Sequence, residues 1–98
     1  PGNQKKHYSP NLPIRINVKE VHDNEVLLNF GKNNLKSKIL QLNLSPSGNL
    51  NEAGKNFYDY LHVLDRTTNC NGIAVAPIPN RKLGKTINDR LIRASSKI

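Results

Sequence analysis

The sequence predicts an α/β domain, with helices packed on a mostly parallel or mixed sheet. Three observations predict it. Short stretches of apolar and polar alternation crowd the first half of the chain, and a narrow apolar stripe at helical spacing occupies residues 50–64. A brief apolar run at 73–76 is then followed by a second helical stripe. The expected order is β-β-β-α-β-α, the pattern of a sheet that buries one stripe of each helix.

Pro10 and Pro13 hold the chain extended ahead of the first element, because each proline also biases its predecessor away from helix. Ile14-Arg15-Ile16-Asn17-Val18 alternates apolar with polar residues and predicts a half-buried strand. His22-Asp23-Asn24 predicts a turn. Val26-Leu27-Leu28-Asn29-Phe30 is more continuously apolar, as expected of a strand deep in a sheet. Beyond the turn Gly31-Lys32-Asn33-Asn34, the run Ile39-Leu40-Gln41-Leu42-Asn43-Leu44 alternates again and predicts a third strand, stopped by Ser45-Pro46-Ser47-Gly48. Connections of about six or seven residues are shorter than the dozen or so that a parallel crossover usually requires, which leaves antiparallel pairing of the early strands open.

Leu50, Ala53, Phe57, Leu61 and Leu64 form the stripe of the first helix. Asn49 is its expected N-cap, and Glu52 stands where a capping box places its acid. Gly54 costs about 1 kcal/mol relative to alanine inside a helix, and close packing is the one reason the sequence offers for it. Ile73-Ala74-Val75-Ala76 predicts a buried strand closed by Pro77 and Pro79, and residues 39–76 predict a right-handed parallel crossover. The second helix is expected to open at Thr86, whose side chain would cap the amide of Asp89, with Ile87, Leu91 and Ala94 facing the core.

Ninety-eight residues suit one domain, and 36% hydrophobic content predicts a modest aliphatic core. No apolar run approaches the roughly 20 residues of a bilayer span, and no signal-peptide pattern is present, so no membrane partner is expected. The single cysteine, Cys70, excludes an internal disulfide and favours a reducing, cytoplasmic setting, in which the sequon Asn43-Leu44-Ser45 carries no glycan. Fifteen Lys and Arg against seven Asp and Glu give a net charge of +8, densest at Arg81, Lys82, Lys85, Arg90, Arg93 and Lys97. Such a surface attracts polyanions, RNA or nucleotides among them, and equally suits a lysine-rich protein that uses charge for solubility.

No catalytic set is visible. His7, His22 and His62 are far apart, Cys70 has no companion at metal-ligand spacing, and Asp59 and Asp65 are expected on a solvated helix face. Two segments are candidates for binding. Lys5, Lys6, His7 and Tyr8 place two cations, an imidazole and a phenol on the opening arm, suited to phosphates held elsewhere, although a plain basic tail has the same composition. The loop at residues 79–85 precedes a helix N-terminus, so Gly84 and Lys85, with Arg90 beyond them, form a candidate anion site; an ordinary strand-to-helix connection is the alternative. The chain contains no methionine and opens on a proline-bounded basic stretch, so it is expected to begin inside an interdomain connector.

Pro1-Gly2 followed by His7-Tyr8-Ser9-Pro10 resembles the Pro-Gly…His-Tyr-Ala-Pro signature of the interdomain linker in the long form of threonylcarbamoyl-AMP synthase. Asn43-Leu44-Ser45-Pro46-Ser47-Gly48-Asn49-Leu50 with Glu52-Ala53 and Leu64-Asp65 resembles the first helix of that family's C-terminal domain. The run Ile73-Ala74-Val75-Ala76-Pro77-Ile78-Pro79, then Leu83-Gly84 and Ile87-Asn88-Asp89-Arg90-Leu91, is similar to its closing strand and helix. Asn3-Gln4-Lys5 departs from the usual Met-basic-Tyr pattern, and Lys82 stands where glycine is common.

The resemblance implies a linker arm at residues 1–13 and a small Rossmann-like accessory domain at 14–98. It implies a share in making threonylcarbamoyl-adenylate from threonine, bicarbonate and ATP for tRNA modification. The chemistry would belong to an upstream YrdC-type catalytic domain, with ATP and Mg as cofactors of that parent enzyme and none in this segment. By match of motif, Pro1, Gly2, His7, Tyr8 and Pro10 would gate substrate and product over the catalytic cleft, and Lys5 and Lys6 on the same arm would join them in contacting ATP or threonylcarbamoyl-AMP. The segment alone is expected to be noncatalytic. The rival expectations are a stand-alone basic module that binds RNA or tRNA, and a purely structural docking domain.

Overall fold

A computed structural model of the protein describes residues 10–95. Six elements follow in the predicted order: β1 (Ile14–Arg15), β2 (Glu25–Asn29), β3 (Gln41–Asn43), α1 (Leu50–Asp65), β4 (Gly72–Val75) and α2 (Leu83–Ser95). The strands form one sheet in the order β1-β4-β2-β3, with every pairing parallel. This is a small Rossmann-like α/β domain.

The antiparallel pairing left open for the early strands does not occur. β1 and β2 are not neighbours, because β4 lies between them and pairs Ile14 with Ile73 and Val26 with Ile73 on its two sides. β2 and β3 do pair; β2 lies one residue earlier than its apolar run and β3 is half the length of its own, so residues 30–40 are left to make the crossover. The chain from β3 through α1 returns beyond β2, so β4 lands at the sheet's centre.

Local chemistry shortens β1 and β3. Asn17 adopts φ 54, a left-handed conformation that asparagine tolerates better than most residues, and this ends β1 three residues before the predicted limit. Ser37 delays the start of β3. Its Oγ accepts from the amides of Ile39 and Leu40 at 3.0 and 3.2 Å and donates to the Glu25 carbonyl at 2.6 Å.

The two faces of the sheet are covered differently. Val26 and Leu28 of β2 and Ile73 and Val75 of β4 meet the stripes of both helices, and the helices pack on each other. Leu27 and Ala74 point the other way, against Val18, Val21 and Leu35 of the loops. The alternation follows from the two-residue period of a strand.

α1 begins as expected, with the amide of Glu52 donating to Asn49 Oδ1 at 2.9 Å. The reciprocal half of the box runs through a serine. The Asn49 amide donates to Ser45 Oγ at 2.8 Å, and that hydroxyl donates to Glu52 Oε1 at 2.6 Å. α2 begins three residues before the predicted start, so Thr86 lies in its first turn and does not cap it. Lys82, at φ 50, turns the chain, and the Asp89 carboxylate accepts from Arg93 Nε at 3.0 Å. No helix among the described residues is long and apolar enough to cross a membrane.

Candidate functional site

Because all four strands are parallel, the chain enters the sheet along one edge and leaves it along the opposite edge. The opening arm joins at the entering edge. Pro10 is fully buried, and Leu12 packs on the core. The amides of Asn11 and Leu12 donate to the two oxygens of the Asp65 carboxylate at 3.0 and 2.9 Å, and the Ile73 amide donates to the Pro13 carbonyl at 2.9 Å. Asp65 was expected on a solvated face. It lies at the end of α1, half-buried, where it fixes the root of the arm. Its partners are more than fifty residues away in sequence, so no local pattern announced it.

A second polar contact braces the same edge. Glu25 is 5% exposed, and Arg15 holds it in bidentate fashion at 2.8 and 2.9 Å while the His22 amide donates to Oε1 at 2.8 Å. The Arg15 hydrogen bond is the main reason the Glu25 carboxyl lies below its ordinary pKa, and Glu25 in turn raises that of Arg15. The pair spans β4 at Gly72, which is paired with Glu25 and where a Cβ would approach the Pro13 carbonyl oxygen to 3.3 Å.

Of the arm residues singled out in the sequence, Pro10 is the first that the structure describes. Pro1, Gly2, Lys5, Lys6, His7 and Tyr8 lie outside the described residues. The other three candidates stand at the leaving edge and on α2. Gly84 is buried; a Cβ there would collide with the Pro79 carbonyl oxygen. The amides of Gly84 and Lys85 donate to the carbonyls of Arg81 and Lys82 at 2.8 and 3.1 Å. The Lys85 side chain borders a shallow groove with Asn80 and Asp89, whereas Arg90 lies 6.0 Å over the Tyr58 ring between α1 and α2. The three residues therefore face three different directions. His62 is half-buried.

The leaving edge also carries a shallow, open crevice of about 600 Å³ between the segments that follow β1, β2 and β4. Its wall at residues 30–35 is braced. The Gly31 amide donates to the Ser45 carbonyl at 2.8 Å, and Asn43 Nδ2 donates to the Gly31 carbonyl at 2.9 Å. Asn29 and Asn33 exchange side-chain amide bonds at 3.2 and 2.9 Å. Among the described residues, no group of three or more His, Cys, Asp or Glu is placed to hold a metal ion.

The family model described as threonylcarbamoyl-AMP synthase, C-terminal domain, matches residues 1–96. The chain belongs to this family. No curated protein and no solved structure matches it. As a threonylcarbamoyl-AMP synthase C-terminal domain it belongs to the machinery of tRNA threonylcarbamoyladenosine modification. The family match covers the arm, its root at Asp65 and the whole sheet.

Proposed function

We propose that this chain is the accessory domain of a threonylcarbamoyl-AMP synthase, noncatalytic by itself, and that it presents the arm to a catalytic centre on a YrdC-type domain upstream. His7 and Tyr8, with Lys5 and Lys6, contact the nucleotide or its threonylcarbamoyl-adenylate product there, and Pro1 and Gly2 set the path of the chain. ATP, Mg, threonine and bicarbonate belong to the catalytic domain of the parent enzyme, which works in the cytoplasm.

The observation that carries this reading is the extent of the family match, which begins at residue 1 and so includes the arm together with the sheet and helices. The geometry at Asp65 supports it. An arm that gates a distant centre works only if its base is held still, because positioning errors of about 1 Å cost up to two orders of magnitude in rate. Two backbone amides on one carboxylate, a buried proline and a main-chain bond to β4 supply such a base.

Pyrophosphate release from ATP in the presence of threonine and bicarbonate tests the proposal. The isolated chain is expected to show none. In the complete enzyme, His7→Ala and Tyr8→Ala are expected to lower turnover while leaving the thermal midpoint unchanged. Wild-type kinetics in both variants would remove the gating role, and turnover by the isolated chain would remove the accessory role.

A further inference from the structure

In an open parallel sheet, ligands bind outside the carboxyl ends of the strands, where neighbouring strands send their connections in opposite directions. Among the described residues, β2 and β4 are the one neighbouring pair whose connections run apart; those of β1 and β4, and of β2 and β3, run toward each other. β2 and β4 are adjacent, but the chain leaves β2 toward β3 on one side, and leaves β4 toward α2, which packs against β1 on the other. The crevice at the leaving edge lies at this divergence, between residues 30–35 after β2 and Pro77 and Pro79 after β4. Topology and cavity therefore identify the same spot independently.

The chemistry of the crevice has one sign. Lys19 and Lys32 border it, and no acidic side chain does. Neither lysine takes part in an ion pair among the described residues. Val18, Phe30 and Leu35 contribute an apolar side, and the volume of about 600 Å³ lies in the range of small-molecule sites. The bonds that pin the Gly31 peptide and the Asn29–Asn33 pair fix the wall before any ligand arrives, which reduces the ordering cost of binding.

We infer that this crevice binds a free phosphate ester of nucleotide size, with Lys19 and Lys32 on the phosphates and the apolar side against the remainder of the ligand. The inference does not rest on the arm, which joins the opposite edge. Each lysine contributes a charge-assisted contact to phosphate, so losing both is expected to weaken binding at least about tenfold.

The test is a titration of the isotope-labelled full chain, followed through its backbone amide resonances, with magnesium-free ATP, inorganic phosphate and a short single-stranded RNA as separate probes. Saturable ATP shifts at residues 18–19 and 31–35, with weaker shifts from inorganic phosphate at the same amides, are the expected result. Lys19→Gln with Lys32→Gln is expected to raise the ATP Kd at least about tenfold without changing the thermal midpoint, since both side chains are exposed. Three results would each overturn the inference: no saturation by about 10 mM ATP, shifts scattered over Lys55, Arg81 and Lys85, or unchanged affinity in the double variant. Binding of the RNA at this crevice without binding of ATP would overturn it as well.

Discussion

Glu25 shows how a residue outside every sequence motif comes to matter. It opens β2, lies 5% exposed and accepts from Arg15 and from the His22 amide. Its folded-state pKa lies below the ordinary value, so its contribution to stability is present above the unfolded-state pKa of about 4.3 and is lost as pH falls through the folded value. Arg15 keeps 40% of its side chain exposed, so the pair contributes about 1–2 kcal/mol, less than a fully buried one. Glu25→Gln is therefore expected to lower unfolding stability by about that amount at pH 7 and to narrow the gap to wild type below about pH 4. Urea melts at the two pH values measure it, and a gap that stays constant would contradict the assignment. Residues whose partners are local were legible in the sequence, Asn49 as an N-cap among them. Asp65 was not, because both amides it accepts from lie more than fifty residues away; nor was Glu25, whose His22 partner is local but whose Arg15 partner is brought near only by the sheet.

At the level of elements, the helical stripes were readable because five and three apolar positions recur at helical spacing, and all of them are buried, with Gly84 added in α2. Strand limits and the start of α2 were less readable, since they depend on Asn17, Ser37 and Lys82, whose backbone or hydroxyl geometry leaves no periodic trace. The two helical glycines make opposite predictions. A Cβ at Gly54 would approach Leu83 Cδ1 to 3.2 Å, but that side chain is 41% exposed and free to shift. Gly54→Ala is expected to be neutral or to stabilise by up to about 1 kcal/mol. Gly84→Ala meets the Pro79 backbone, which cannot yield without displacing the exit of β4, and is expected to destabilise by about 3 kcal/mol. Thermal melts of the two variants should move in opposite directions or leave the first unchanged; equal losses would refute the packing described between α2 and its neighbours.

For the molecule as a whole, the order of elements and the family resemblance were legible in the sequence. The central position of β4 was not, because sheet order depends on connections that skip a neighbour. The result is a division between edges: the arm's root at Asp65 lies where the chain enters the sheet, and the basic crevice lies where it leaves. The proposed gating arm depends on the first edge alone. Asp65→Ala removes the acceptor of two backbone amides, at a cost of about 1–3 kcal/mol, which a domain of this size tolerates. The most direct measurement is pyrophosphate release by the complete enzyme carrying Asp65→Ala, made at a temperature where amide exchange shows the sheet intact and the Asn11 and Leu12 amides exposed. We predict a fall in kcat of about tenfold or more. Wild-type kcat with those two amides released would contradict the account.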